Sequence, residues 1–146
     1  MRACLLIFVI PVLIAVFLMY PGVSPAGEKK SVRFKENYFF VELAQTKKEQ
    51  ERGLMFIDRL APDSGMLFVY RDEAPRSFYT KNTYLPLDMI WMDKEMKVVF
   101  IKKNAHPGDS RVYETISPQE KAMYVLELNA GCADRAGIKI GDKLEL

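Results

Sequence analysis

The chain has 146 residues, with 21 Lys and Arg against 19 Asp and Glu, a formal net charge of +2, and 49% hydrophobic residues. So balanced a charge lacks the long-range attraction that supplies most nucleic-acid affinity, which sets nucleic acid aside as a partner. One histidine and two cysteines leave no ready-made zinc site and little material for a hydrolase triad.

Residues 1–26 carry the marks of an export signal. Arg2 gives a positive start, an apolar run follows over residues 3–20, and Ser24 and Ala26 are small residues at −3 and −1 of a cleavage site after Ala26. The run is also near the shortest length that spans a bilayer, so an uncleaved anchor is the rival, and it would be the chain's only membrane contact. Pro11 within the run and the small-residue exit favour cleavage. Cys4 precedes the run, too near the start to be a lipid-attachment site. The remainder, residues 27–146, suits one domain with one core. Located outside the cytoplasm, periplasmic or secreted, it retains only Cys132, so it has no internal disulfide and must be stabilised by packing.

The predicted elements run as follows. Residues 29–46 read as two short strands about a turn at Glu36 and Asn37, the second (38–43) rich in aromatic and β-branched residues. Thr46 opens a short helix with Glu49 at capping-box spacing, and Gly53 lies near its end. Residues 63–70 form a turn and a buried strand, followed by an exposed loop over 71–76. The stretches LPLDMIWMD and KVVFIKK make the clearest hairpin, turning at residues 93–96. Residues 104–121 are loop-like, with a possible edge strand at 112–116. YVLELNAG is a strand, CADRAG a short turn or helix, and IKIGDKLEL a closing strand interrupted at Gly141 and Asp142. The sum is a mostly-β domain: a small barrel or curled antiparallel sheet of seven to eight short strands, with one or two short helices.

Several chemistries fall away on residue type. His106 lies in the turn-rich NAHPGD without a second histidine or a cysteine pair nearby, and a pairing with Cys132 is its only route to a nucleophile. Met89, Met92 and Met96 raise copper, but strand alternation puts Met89 and Met92 on opposite faces, so they read as core. No glycine-rich phosphate loop is present. The tail ADRAGIKIGDKLEL is similar to the corresponding stretch of PDZ domains, yet no carboxylate-binding loop precedes it, and the Gly-Asp turn is a structural device. No metal or cofactor is expected.

What remains is a polar cluster inside FYTKNTYLPLDMIWMD. Lys81, Asn82, Thr83 and Asp88 stand among aromatics, with Phe78, Tyr79 and Trp91 as candidate pocket walls. Asp88 shares a strand face with Ile90 and Met92, and a buried carboxylate needs a cation or several N–H donors. Structurally, it would accept bonds from Thr83, Tyr84 or loop amides and pin the KNTYLP turn, in which Asn82 tolerates the left-handed conformation. Functionally, the four residues would form the polar end of a site. Glu127 interrupts YVLELNAG and is either solvated or the acidic partner of Arg52, Arg59 or Lys81. Arg52 and Arg59 would share a helix face only if the helix ran past Gly53.

ERGLMFIDRL, SGMLFVY, FYTKNTYLPLDMIWMD, KVVFIKKNA and YVLELNAGCADRAGIKIGDKLEL, in that order, resemble the family called domain of unknown function 192, over residues 38–146. The resemblance implies a small mostly-β domain, commonly exported in bacteria, with no established activity. Its pattern carries onto Arg52, Gly53, Gly65, Phe78, Lys81, Asn82, Thr83, Asp88, Glu127, Gly131, Gly141 and Asp142. The chain departs from that pattern at Tyr79-Thr80, where Trp-Met is usual, and at Met96, where Gly is usual. The leading expectation is a non-enzymatic binding module of the envelope, holding a small polar ligand or partner segment near Lys81, Asn82, Thr83, Asp88, Glu127, Arg52 and Tyr79. The alternatives are an enzyme using Asp88 or Glu127 as acid or base beside Lys81, and an accessory protein pairing through a sheet edge.

Overall fold

The structure, a computed structural model, describes residues 29–146; the expected export segment and cleavage site lie outside the described residues. The chain forms β1 (Lys29–Phe34), β2 (Asn37–Ala44), α1 (Lys47–Arg52), β3 (Ser64–Pro75), β4 (Phe78–Tyr79), β5 (Leu87–Met92), β6 (Val98–Ala105), β7 (Thr115–Ile116), β8 (Lys121–Asn129) and α2 (Cys132–Arg135). Six strands make one curled sheet in the order β1-β2-β3-β8-β5-β6, and β4 pairs with β7 in a second, two-stranded sheet. The domain is therefore mostly β, with eight strands and two short helices among the described residues.

Three expectations are corrected. The sheet is not wholly antiparallel, because β2 and β3 run parallel, with Val41 beside Gly65 and Leu43 beside Leu67. The connection through α1 permits this: a parallel return needs a crossover of this length, which a hairpin turn cannot supply. Residues 71–75 continue β3 as a strand, with a register irregularity between Val69 and Ala74, instead of forming a loop.

The third correction concerns closure. The large sheet is not closed into a barrel, and IKIGDKLEL is not a strand. That segment instead bridges the two edges. The Arg33 and Glu145 N–H groups donate to each other's carbonyls at 2.8 and 2.9 Å, and the Leu144 N–H donates to the Met96 carbonyl at 2.9 Å. Gly141, at φ +94, allows the bend that keeps this tail from running on as a strand.

Elsewhere local chemistry matches local structure. Thr46 caps α1 with a complete capping box to Glu49, and Gly53 ends the helix at φ +48, where an added Cβ would lie 3.2 Å from the Phe68 ring. The β5–β6 turn is held by Asp93, whose carboxylate accepts the N–H groups of Glu95 and Lys97 at 2.9 Å. Met96 takes φ +62 there, so the methionine occupies the conformation for which glycine is usual.

The sheet has a packed layer on each side. One contains Phe34, Leu67, Ile90, Met92, Leu126, Leu128 and Leu144, covered by α2 and the tail. The other contains Phe68, Phe78, Met89, Trp91 and Val125, covered by Leu54 and Ile116 from the loops and the small sheet. The strand β5 is buried along its whole length because it contributes to both.

Candidate functional site

Strand parity separates the two buried carboxyls. In the β5–β8 ladder Asp88 lies opposite Leu128 and Met89 opposite Glu127. Opposed residues share a face and successive residues alternate, so Asp88 and Glu127 emerge on opposite sides of the sheet.

Asp88 is fully buried, and both of its oxygens accept backbone donors. Oδ1 takes the N–H of Asn104 at 2.9 Å and Oδ2 that of Ala133 at 2.8 Å. Ala133 stands in the first turn of α2, whose N-cap Gly131 has no side chain to offer, so Asp88 satisfies that helix end from a neighbouring strand. Asn104 has φ +49, and Asp88 holds that bend at the end of β6. The carboxylate thus anchors β6 and α2. It does not pin the KNTYLP turn.

That turn is fixed by backbone bonds. Thr83 N–H donates to the Thr80 carbonyl at 3.0 Å, and Asn82 sits between them at φ +53, the left-handed conformation its residue type accepts. Thr80, fully buried, accepts the Glu114 N–H on its hydroxyl at 3.0 Å and ties the turn to the loop before β7. The polar cluster read from the sequence does not meet in one place. Thr83 and Tyr79 line a cleft, Lys81 and Asn82 lie outside its lining, and Asp88 is on the far face.

The cleft lies between α1, β3, β4 and β8, with about 390 Å³ of empty space partly open to solvent. Its wall includes Gln50, Arg52, Leu54, Tyr70, Tyr79 and Thr83, and it also reaches Glu127. The helix is set against the sheet by Gln50, whose Nε2 donates to the carbonyls of Val69 at 2.8 Å and Ala44 at 3.3 Å. That contact places the exposed Arg52, the last residue of α1, on the cleft wall. Arg59 does not join it: α1 stops at Arg52 and Gly53 turns the chain away. A chain of edge-to-face rings supports this side of the sheet: Phe68 on Phe78 at 4.8 Å, Phe78 on Trp91 at 5.5 Å, and Trp91 on Phe100 at 5.4 Å.

Glu127 is only 4% exposed. Burial pushes its carboxyl up to about 8, and it is the only influence: no cation or hydrogen bond pulls the value down. Expected ion pairs with Arg59 or Lys81 are not formed. Near neutral pH the group is mostly protonated, able both to donate and to accept. Beside it the Tyr70 phenol is pushed up to about 12 by burial, with Arg76 pulling down and Glu127 adding to the rise. The Arg76 guanidinium lies 4.1 Å from the Tyr70 ring centre and bonds Asp72 at 2.8 Å. Tyr70 and Gln50 were not legible as site residues: one reads as core, the other as a solvated helix position. The signal available for Tyr70 was its place at the end of the SGMLFVY strand on the same face as Phe68.

Among the described residues no group of three or more His, Cys, Asp or Glu is placed to hold a metal ion, and no helix is long and apolar enough to cross a membrane.

Comparison with known proteins gives the following. The family model DUF192, described as "Uncharacterized ACR", matches residues 30–146. Two solved structures are similar. One, described provisionally as a transcription regulator, is from Sinorhizobium meliloti 1021: it is 38% identical, with a TM-score of 0.78 over 84% of this chain and 97% of that one. The other, from Novosphingobium aromaticivorans DSM 12444 and of unknown function, is 33% identical, with a TM-score of 0.75 over 86% of this chain and 94% of that one. No curated protein matches the chain.

Proposed function

The chain belongs to the DUF192 family, and from that starting point we propose that it is a non-enzymatic binding module of the bacterial envelope, holding a small polar ligand in the Glu127 cleft. One observation carries the reading. The Glu127 carboxyl is buried yet lines a cleft partly open to solvent, and burial is what raises its pKa. Asp88 shows the contrast, since both its oxygens are taken by backbone donors. Extracytoplasmic location is supported by the apolar, small-residue-ended segment 1–26. The regulator description of the S. meliloti protein suggests nucleic acid, but a net charge of +2 lends that no support here.

The test is mass spectrometry of what the protein carries when purified from its own envelope. A small molecule should be released on denaturation of the wild type and be absent from Glu127→Leu, which keeps the side-chain volume and removes the polar anchor. Identical or empty yields from both proteins would end this reading.

A second reading is favoured by the same value. A carboxyl titrating at about 8 is suited to give and take a proton near neutrality, which makes Glu127 a candidate general acid or base, without Lys81 or Asp88 as helpers. Recovery of the ligand chemically altered by wild type and unaltered by Glu127→Gln would favour it. The sheet-edge alternative is weakened by the tail, which already pairs with β1 at Arg33 and with the start of β6.

A further inference from the structure

We propose that the ligand of this cleft is a neutral saccharide, its ring faces stacked on exposed aromatics at the cleft and its hydroxyls bonded to Glu127, Thr83 and Arg52. This rests on the cleft being a ligand site and adds the chemical class.

Four of the six exposed aromatics among the described residues form two contacting pairs, and the other two, Tyr38 and Phe40, lie apart on β2. Tyr79 lines the cleft and is 43% exposed, and Tyr113, 44% exposed, packs against it with ring centres 6.1 Å apart. Phe56 follows the lining residue Met55, and Tyr84 follows the lining residue Thr83. These two rings meet edge to face at 6.2 Å while remaining 58% and 49% exposed. Each pair braces its rings against one another, yet leaves much of their surface to solvent.

Phe56 supplies an independent observation. Its backbone is left-handed, at φ +62, a conformation that bulky residues avoid. Its N–H bonds the carbonyl of Asn82, itself at φ +53, at 2.9 Å, so two left-handed residues hold each other in place beside the cleft. A strained phenylalanine normally offsets its strain by burying its ring, and this one does not. The strain serves presentation of the ring.

The polar groups fix the ligand's other face. The Glu127 carboxyl and the Tyr70 phenol each both donate and accept, the Thr83 hydroxyl, which donates to the Lys81 carbonyl at 3.4 Å, accepts, and the Arg52 guanidinium donates. Hydroxyl groups match such a set; fixed charges do not. Glu127, protonated near neutral pH, offers no standing anion for an ammonium group, and one arginine at an exposed wall does not make an anion site. A molecule with C–H faces and hydroxyl edges is a sugar.

Calorimetric titration of the full protein with cellohexaose, xylohexaose, maltohexaose and chitohexaose tests this. At least one should bind. Tyr79→Ala should then weaken it by about tenfold and Phe56→Ala by about threefold, about 1.4 and about 0.65 kcal/mol. Tyr38→Ala, another exposed aromatic but one outside the cleft on β2, should leave binding unchanged. All three side chains are exposed, so the fold survives their loss. No binding by any hexasaccharide, or binding indifferent to Tyr79→Ala, overturns the proposal. Spermidine, succinate and dialanine are titrated in parallel. A charged probe that binds wild type and fails with Glu127→Leu overturns the saccharide class and leaves the binding-module reading standing, whereas silence from every probe overturns the saccharide class and leaves the module reading to the co-purification result.

Discussion

Asp88 and Glu127 are two buried carboxyls on adjacent strands with opposite circumstances, and both can be tested by substitution. Asp88→Ala removes the only side-chain acceptor for the N–H groups of Asn104 and Ala133. Leaving one buried and one part-buried donor unmet should cost about 2–4 kcal/mol. Lys81→Ala, at a partly exposed turn position outside the cleft lining, should cost less than about 0.5 kcal/mol. Urea melts of the two mutants check both values. Glu127 gives a pH signature. Its folded pKa, about 8, lies above its unfolded value, so the folded state holds a proton that the unfolded state has released between about pH 4.5 and 8. The stabilising proton is fully present below 4.5 and is lost as pH rises through 8. Stability should therefore fall across that window, at no more than about 1.4 kcal/mol per pH unit. Denaturant midpoints at pH 5, 6.5 and 8 should show this slope in wild type and not in Glu127→Gln. Parallel slopes in the two proteins would mean that Glu127 ionises freely in the fold.

At the scale of elements, the strongest local signals were read correctly. The capping box at Thr46 and Glu49, the β5–β6 hairpin and the YVLELNAG strand all depend on side chains acting on neighbours in sequence. The misread elements depend on distant ones. RDEAP looks like a loop because its residues are polar and end in proline, yet β8 supplies hydrogen-bonding partners that make it strand. IKIGDKLEL alternates like a strand but splits its pairing between two edges. The β3–β8 contact also determines where Glu127 sits, and Gly65 controls it. A Cβ at Gly65 would lie 2.3 Å from the Glu127 carbonyl and 2.7 Å from Leu128 Cδ2. Gly65→Ala should cost about 1–3 kcal/mol, as overpacking does, and push β8 away at the cleft. Amide hydrogen exchange should show the loss of protection concentrated at residues 126–128. Uniform or absent change would mean the strands separate without strain.

For the whole molecule, the tail does the work that a closing strand would do in a barrel. Removing residues 143–146 takes away the buried Leu144, the paired N–H groups of Arg33, Leu144 and Glu145, and the Arg33–Glu145 ion pair. Burial of one leucine and three hydrogen bonds suggests a loss of roughly 4–6 kcal/mol, a large share of a small domain's stability. The uncovered β1 edge should also invite pairing between molecules. Chemical denaturation should find the truncated protein far less stable, and size-exclusion chromatography should find it associated. A stable monomer would show that the tail is an accessory.

The sequence by itself determined the mostly-β class, the capped helix, the main hairpin and the burial of Asp88, while Glu127 stayed open between a solvated and a paired carboxylate. Each follows from periodicity or from interactions a few residues long. It also brought Arg52, Tyr79, Thr83 and Glu127 onto one list without a reason to join them. Their meeting was decided by strand register: one residue of offset between β5 and β8 sends Asp88 to one face and Glu127 to the other. Side chains alternate along a strand, but which face becomes the cleft depends on what packs against it. Here that is α1, carried across by the parallel β2–β3 return, and the small β4–β7 sheet. Those are contacts between residues far apart in the chain, so no local pattern contains them.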